Sequence, residues 1–175
     1  MALRDMVLTS MTQEAPLEMR ESMKLTLGPN LFNWQPDVWR DFYFRIADEA
    51  AVDTVAVSEV VCSKRMPFFD EHLPAVIERL TLAGKQVLVS SLALITLERE
   101  RRCTEELAFD QGLMVEANDI TCMAHLAGRS HAIGPFVNVY NEGTALWLAA
   151  QCARSICLPP ELPLSSVAAI AAAAP

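Results

Sequence analysis

Basic side chains are scarce in this sequence, which has 14 Lys and Arg residues against 22 Asp and Glu residues and a net charge of −8. Binding to nucleic acid or to an anionic membrane surface needs clustered Lys and Arg. The densest basic cluster, Arg99, Arg101 and Arg102, is interleaved with Glu98 and Glu100, which is typical of a solvated helix face. The sequence therefore predicts a protein that does not bind nucleic acid.

Long apolar runs and a secretory signal are also missing. The sequence has no stretch of about 18 uncharged apolar residues, and its first 22 residues lack the basic and then apolar plan of a signal peptide. Its five cysteines are an odd number and too few for a disulfide scaffold, which favours a reducing compartment. We therefore expect a cytoplasmic protein without a membrane span.

The commonest catalytic signatures do not occur. His72, His125 and His131 do not form a His-x-x-x-His or His-Glu-x-x-His zinc motif. The sequence also lacks a Gly-x-Ser-x-Gly elbow, a P-loop and a Gly-x-Gly-x-x-Gly turn. The usual hydrolase, nucleotide-binding and dinucleotide-binding functions therefore have no motif to support them.

What the sequence does contain is an alternation of short apolar runs with helical stretches. Residues 1–22 are predicted to be a flexible extension, and residues 23–175 have the pattern of a parallel sheet with crossover helices. Strands are predicted at 25–27, 53–58, 86–91, 113–117, 136–140 and 155–158. A closed eight-stranded barrel needs roughly 250 residues. We therefore expect an α/β fold of about six parallel βα units, the amino-terminal part of a (β/α)8 TIM-barrel-like domain.

The signals for helix ends are local and specific. Gly84 is expected to end a helix at 67–83. Asp119 and Asn141 are expected to cap the helices that follow them, because Asn and Asp side chains accept hydrogen bonds from free N–H groups at a helix start.

Polar residues follow every predicted strand, at the edge where barrels place their sites. Asn and Asp at these points are explained by helix capping, but three glutamates are not: Glu59, Glu116 and Glu161. An unpaired carboxylate beside an apolar strand end is costly. Each therefore needs either a basic partner such as Lys64 or Arg65, or a ligand, and we take the three glutamates as candidate catalytic residues.

Cys62 lies in the loop after the second predicted strand, beside Lys64 and Arg65. Positive neighbours favour the thiolate form that a metal requires, so Cys62 is a candidate metal ligand. The other four cysteines, at 103, 122, 152 and 157, have no standard zinc or cluster spacing and are expected in the core.

Six segments occur in a specific order: Lys24-Leu-Thr-Leu-Gly-Pro29, Glu59-Val-Val-Cys-Ser-Lys-Arg65, Gly84-Lys-Gln86, Glu116-Ala-Asn-Asp119, Asn138-Val-Tyr-Asn141 and Leu158-Pro-Pro-Glu-Leu162. Together they resemble the UbiV branch of the collagenase-like U-thirty-two peptidase family, from Met23 to about Ser166. The segment around Cys62 is the most specific of the six.

The resemblance implies an iron-sulfur accessory protein for oxygen-independent hydroxylation in ubiquinone biosynthesis. It implies a [4Fe-4S] cluster held by four cysteines, a heterodimer with a UbiU-like protein, and a ubiquinone precursor as substrate. Cys62 matches the first cluster ligand, and the other three have no counterpart in this sequence. The resemblance does not imply peptide cleavage by this branch.

Two alternatives stay open. The first is a peptidase or other hydrolase of the same barrel family, with Glu59, Glu116 or Glu161 as acid or base. The second is a non-catalytic truncated barrel that only binds a partner, because missing strands leave sheet edges and apolar faces uncovered.

Overall fold

The computed structural model describes residues 23–110 and 112–173, so the predicted extension at 1–22 lies outside the described residues. The strands are β1 Thr26–Leu27, β2 Thr54–Val57, β3 Gln86–Ser90, β4 Met114–Ala117, β5 His131–Ile133 and β6 Ala153–Ile156. The α-helices are α1 Pro36–Glu49, α2 Met66–Phe69, α3 Leu73–Leu82, α4 Glu98–Phe109, α5 Ile120–His125, α6 Glu142–Ala150 and α7 Leu164–Ala173.

The six strands form one parallel sheet in the order of the sequence, β1-β2-β3-β4-β5-β6, curled into a half-barrel. Each strand pairs with the next one along the chain after a helical crossover. This is the sheet of a barrel in which neighbouring βα units lie side by side. The expected α/β, partial TIM-barrel-like fold is confirmed.

Side chains alternate between the two faces of the sheet. The inner face carries a small apolar cluster of Ala56, Leu88 and Ala132, with Met114 packed against it. The residues between them, such as Val57 and Val89, pack outward against the helices. Because the side-chain period of a strand is two, Ser90 and Glu116 continue the inner face of β3 and β4 at their carboxyl ends.

The outer face has two cores. The first packs Val55, Val57 and Val89 of β2 and β3 against α1 and α3, and includes the buried rings of Trp39 and Tyr43. The second packs the strands from β4 onward against α5, α6 and α7. Leu107 of α4 packs against both cores and connects them. Within the described ranges, no helix has the length and apolar character to span a bilayer.

The helix expected at 67–83 is instead two helices, α2 and α3, separated by a turn at Asp70, Glu71 and His72. Pro74 lies in the first turn of α3. A proline ring clashes with the carbonyl four residues earlier, here that of Asp70, and provides no N–H. A continuous helix through this point is therefore disfavoured.

The strand expected at 136–140 is wrong. The fifth strand is His131–Ile133, and Pro135–Val137 is a 3-10 turn that ends at Asn138 with a φ of 61°. Pro135 has no N–H to give to a sheet ladder, so the apolar run that follows it does not extend β5. The sixth strand also begins earlier than expected, at Ala153.

The predicted helix ends are confirmed. Gly84 has a φ of 76°, and the Gly84 and Lys85 N–H groups donate to the carbonyls of Thr81 and Leu80, which is a Schellman motif. Asp119 accepts from the Thr121 N–H, and Asn141 accepts from the Thr144 N–H. The Asp119 cap, two residues after the end of β4, starts α5, whereas the Asn141 cap starts α6 after the 3-10 turn that follows β5.

Candidate functional site

The carboxyl ends of β2, β3 and β4 bring four buried polar residues to one edge of the half-barrel: Glu59, Ser90, Glu116 and Asn118. They follow neighbouring strands, and Ser90 is the register partner of Glu116. Loops at this edge hold the sites of barrel enzymes. We call this set the rim site.

Glu59 is 4% exposed, and one of its carboxylate oxygens accepts three hydrogen bonds. Its Oε1 accepts from the Val61 N–H at 2.7 Å, the Cys62 N–H at 2.9 Å and the Arg65 Nη2 at 2.9 Å. Ser58 turns the chain into this arrangement with a φ of 89°. Glu59 thus has Arg65 as its charge partner and holds the loop that carries Cys62.

Arg65 connects this loop to the one after β1. Its Nη1 donates to the Leu31 carbonyl at 3.2 Å, while Nη2 donates to Glu59. The Arg65 side chain is 16% exposed. The folded state tolerates a buried carboxylate that is paired in this way, whereas burial of either charge without its partner would lower the free energy of unfolding.

Cys62 lies half-buried at the rim, immediately before the 3-10 turn Ser63–Arg65. Its carbonyl accepts from the Arg65 N–H at 2.9 Å, so both polar groups of its backbone are held. Cys62 therefore belongs to a loop at the strand tips that is fixed by hydrogen bonds, and it is not part of the apolar cores. Its role as a metal ligand stays a prediction.

Glu116 is 6% exposed and belongs to a hydrogen-bonded network across the ends of two strands, β3 and β4. Its Oε2 accepts from the Ser90 hydroxyl at 2.6 Å and from Asn118 Nδ2 at 3.3 Å. Asn118 also donates from Nδ2 to the Ser91 carbonyl at 3.2 Å. The carboxylate is held rigidly at the inner side of the rim.

Glu161 does not join Glu59 or Glu116. It is exposed in the segment after β6, and among the described residues its hydrogen-bond partner is the Tyr140 hydroxyl. That hydrogen bond lowers the pKa of the Glu161 carboxyl. The structure thus gathers two of the three candidate glutamates at the buried part of the rim and leaves the third on the surface.

The cysteines are distributed over the fold rather than gathered. Cys122 is on the buried side of α5, and burial raises the pKa of its thiol to about 11. Cys103 on α4 and Cys157 after β6 are exposed, so the expectation that they lie in the core is wrong. The Cys157 N–H donates to the Ile133 carbonyl at the end of β5. Partial burial of the thiol, followed by the charge of Glu116, raises the pKa of Cys157.

A [4Fe-4S] cluster of the type implied by the resemblance needs four thiolates. Over residues 23–110 and 112–173, no group of three His, Cys, Asp or Glu side chains is arranged to hold a metal ion. The described residues therefore fit one ligand of such a cluster, Cys62, and do not fit a complete site.

Two features of the rim had no clear sequence signal. Gly134 lies directly against Asn118, and only the sheet register brings them together. Cys157 lies beyond the end of β6 because this strand ends at Ile156, two residues before the predicted end. Both depend on strand boundaries, which local patterns predict poorly.

The comparisons with known proteins place the chain in no family. No protein-family model matches the sequence, and no solved structure matches the chain significantly. The rim residues and the six sequence segments are therefore the features from which a function can be proposed.

Proposed function

We propose that this protein is an iron-sulfur accessory protein for oxygen-independent hydroxylation in ubiquinone biosynthesis, in which Cys62 supplies one cluster ligand. The observation that carries the proposal is the position of Cys62: half-buried at the rim, with its N–H bound by Glu59 and its carbonyl bound by the Arg65 N–H. The UbiV-like segment around Cys62 supports the same role.

The proposal also includes a heterodimer with a UbiU-like protein, as the resemblance implies. In the family the other three ligands are cysteines of the carboxy-terminal half of the same chain, and they have no counterpart among the described residues. The exposed edge strand β6 and the rim beside it leave room for such a neighbour. All five cysteines are free thiols, which fits the reducing cytoplasm that the proposal assumes.

The rim network has a defined part in this proposal. Glu59 and Arg65 position the Cys62 loop, because they bind its backbone at both ends. Glu116 is held by Ser90 and Asn118 at the inner side of the rim, where its carboxylate would orient a polar group of the ubiquinone precursor. A ligated cluster would supply electrons, and the protein would supply binding and orientation.

A hydrolase role is less favoured by the geometry. Oε1 of Glu59 is already bound to two backbone N–H groups and to Arg65, so this oxygen is not available to a substrate. Glu161 is on the surface beside Tyr140. An assay on collagen-like peptides, with and without reductant, tests this alternative: cleavage abolished by Glu116→Gln would support it over the accessory role.

The decisive experiment is anaerobic co-expression with a UbiU-like partner, followed by iron and sulfide analysis and an absorbance spectrum of the purified complex. We expect bound iron and sulfide in the wild-type complex and a loss of both in Cys62→Ser. Cys152→Ser is the matched control, because Cys152 directly precedes β6 and so lies at the opposite edge of the sheet from the rim. Absence of iron from the wild-type complex, or full retention by Cys62→Ser, would refute the proposal.

A further inference from the structure

A cavity of about 350 Å³ opens on the outer face of β3, between the turn that joins α2 to α3 and helix α4. Its floor is apolar and is formed by strand and helix side chains: Met66, Leu73, Val89, Leu92, Leu107 and Leu113. This volume is within the range of small-molecule sites. Two residues of the rim site, Glu59 and Ser90, also line this cavity, whereas Glu116 does not.

The cavity exists because the helices around it pack with other neighbours. Helix α3 packs against α1, and α4 packs against α5. The break at Pro74 turns the chain between α2 and α3, so no continuous helix fills the space beside α4. The gap is therefore a consequence of the backbone path.

The charged groups in the cavity wall are all acidic. Asp70, Glu106 and Asp110 line it, and the wall contains no Lys, Arg or His side chain. None of these three carboxylates forms an ion pair with another described residue. Burial raises the pKa of Asp70, as expected for a carboxylate that lacks a cationic partner.

A buried acceptor also belongs to the cavity wall. Glu59 lines the upper end of the cavity with its side chain 2% exposed. Its Oε1 has three donors, whereas no donor among the described residues reaches Oε2. If Oε2 were fully buried, it would be a buried oxygen without a hydrogen-bond partner, and it is not one. Oε2 is therefore accessible from the open space beside it. An acceptor in this position favours a ligand that donates hydrogen bonds.

We propose that this cavity binds a small organic cation, a primary ammonium or guanidinium group carried on an apolar body. The apolar part would cover Val89, Leu92 and Leu107, and the cationic part would lie between Asp70 and Glu106. A metal ion fits less well, because no three acidic, Cys or His side chains of the described chain converge closely enough. The proposal is independent of the cluster role of Cys62.

Isothermal titration calorimetry of the full chain with 2-phenylethylamine and with 2-phenylethanol tests the proposal. The two probes have the same shape, and only the amine is cationic at pH 7.5. We expect the amine to bind at least about tenfold more tightly than the alcohol, since more than one carboxylate contributes. Failure of the amine to bind, or equal binding of the two probes, would overturn the proposal.

Charge-neutral variants locate the binding. We expect Glu106→Gln and Asp70→Asn each to weaken amine binding about threefold or more. Glu105→Gln is the matched control, because Glu105 is on the same helix, is exposed and does not line the cavity. If Glu105→Gln weakened binding as much as Glu106→Gln, the effect would be one of net charge, and the cavity would not be the site.

Discussion

Asn118 occupies the space in which a side chain at residue 134 would lie: a Cβ built on Gly134 would be 1.9 Å from Asn118 Oδ1. The orientation of the amide is fixed, because Nδ2 donates to the Ser91 carbonyl and to Glu116 Oε2, which are both acceptors. The oxygen must therefore face Gly134. This close approach joins the ends of β4 and β5 at the rim.

We expect Gly134→Ala to lower the free energy of unfolding by about 2–4 kcal/mol, because the methyl group must displace a buried and hydrogen-bonded amide. Urea denaturation measures the effect. Gly28→Ala is the control, since nothing lies within 4 Å of a Cβ at that position. Equal stability of the two variants would show that Asn118 can move away without cost.

The buried pair of Glu59 and Arg65 gives a second prediction. Arg65→Met should lower the free energy of unfolding by about 3–5 kcal/mol, because it leaves the Glu59 carboxylate buried without its charge partner. Addition of Glu59→Gln should restore part of the loss, since the amide oxygen still accepts the Val61 and Cys62 N–H groups. A double-mutant cycle by urea denaturation measures the coupling. A double variant no more stable than Arg65→Met would contradict the pairing.

Tyr43 should make stability depend on pH above pH 10. Burial raises its pKa from 10.0 to about 12, against the opposing effect of the Asn30 N–H that donates to its hydroxyl. The folded state holds this proton more tightly than the unfolded state, so the stabilisation is complete below pH 10 and is lost as the pH rises to about 12. The loss amounts to about 2–3 kcal/mol.

Denaturation of wild type and Tyr43→Phe between pH 8 and pH 11.5 tests this pH dependence. The variant lacks the titrating hydroxyl, so the difference in stability between the two proteins should shrink or reverse as the pH rises. Parallel curves would mean that Tyr43 does not titrate differently in the folded state.

The alkylation rate of Cys157, which follows β6, should depend on the charge of Glu116 at the end of β4. Because the charge of Glu116 helps to raise the pKa of the Cys157 thiol, Glu116→Gln should increase its thiolate fraction and its rate of alkylation at pH 8. Peptide mapping by mass spectrometry after timed iodoacetamide treatment measures this rate. Cys103 in the same samples is the internal control, and an unchanged rate at Cys157 would contradict the proximity.

Several elements could be predicted from the sequence because their signals are local. Asp119 and Asn141 cap helices through hydrogen bonds to residues two or three positions away. Gly84 ends α3 because its φ of 76° is readily adopted by glycine. The apolar run of β3 was recognisable because its outer face is covered by helices and its inner face is buried in the half-barrel.

Other elements could not be predicted because their signals are short or come from elsewhere in the chain. Strand β5 has only three residues, His131–Ile133, and its pairing with β4 and β6 stabilises it. The longer apolar run after it looks more like a strand, but Pro135 starts a turn there. Pairing between strands outweighed local propensity at this point.

The sequence by itself determined the general alternation of strands and helices and the helix ends at Gly84, Asp119 and Asn141, because those features depend on hydrogen bonds and periodicity within a few residues. Only the tertiary structure decided which polar groups meet. Ser90 and Glu116 are 26 positions apart and form a hydrogen bond because parallel pairing aligns β3 with β4. The acidic cavity likewise depends on how α3 and α4 pack. Its wall comes from residues far apart in the sequence, and they contribute to one site only after the sheet has brought them together.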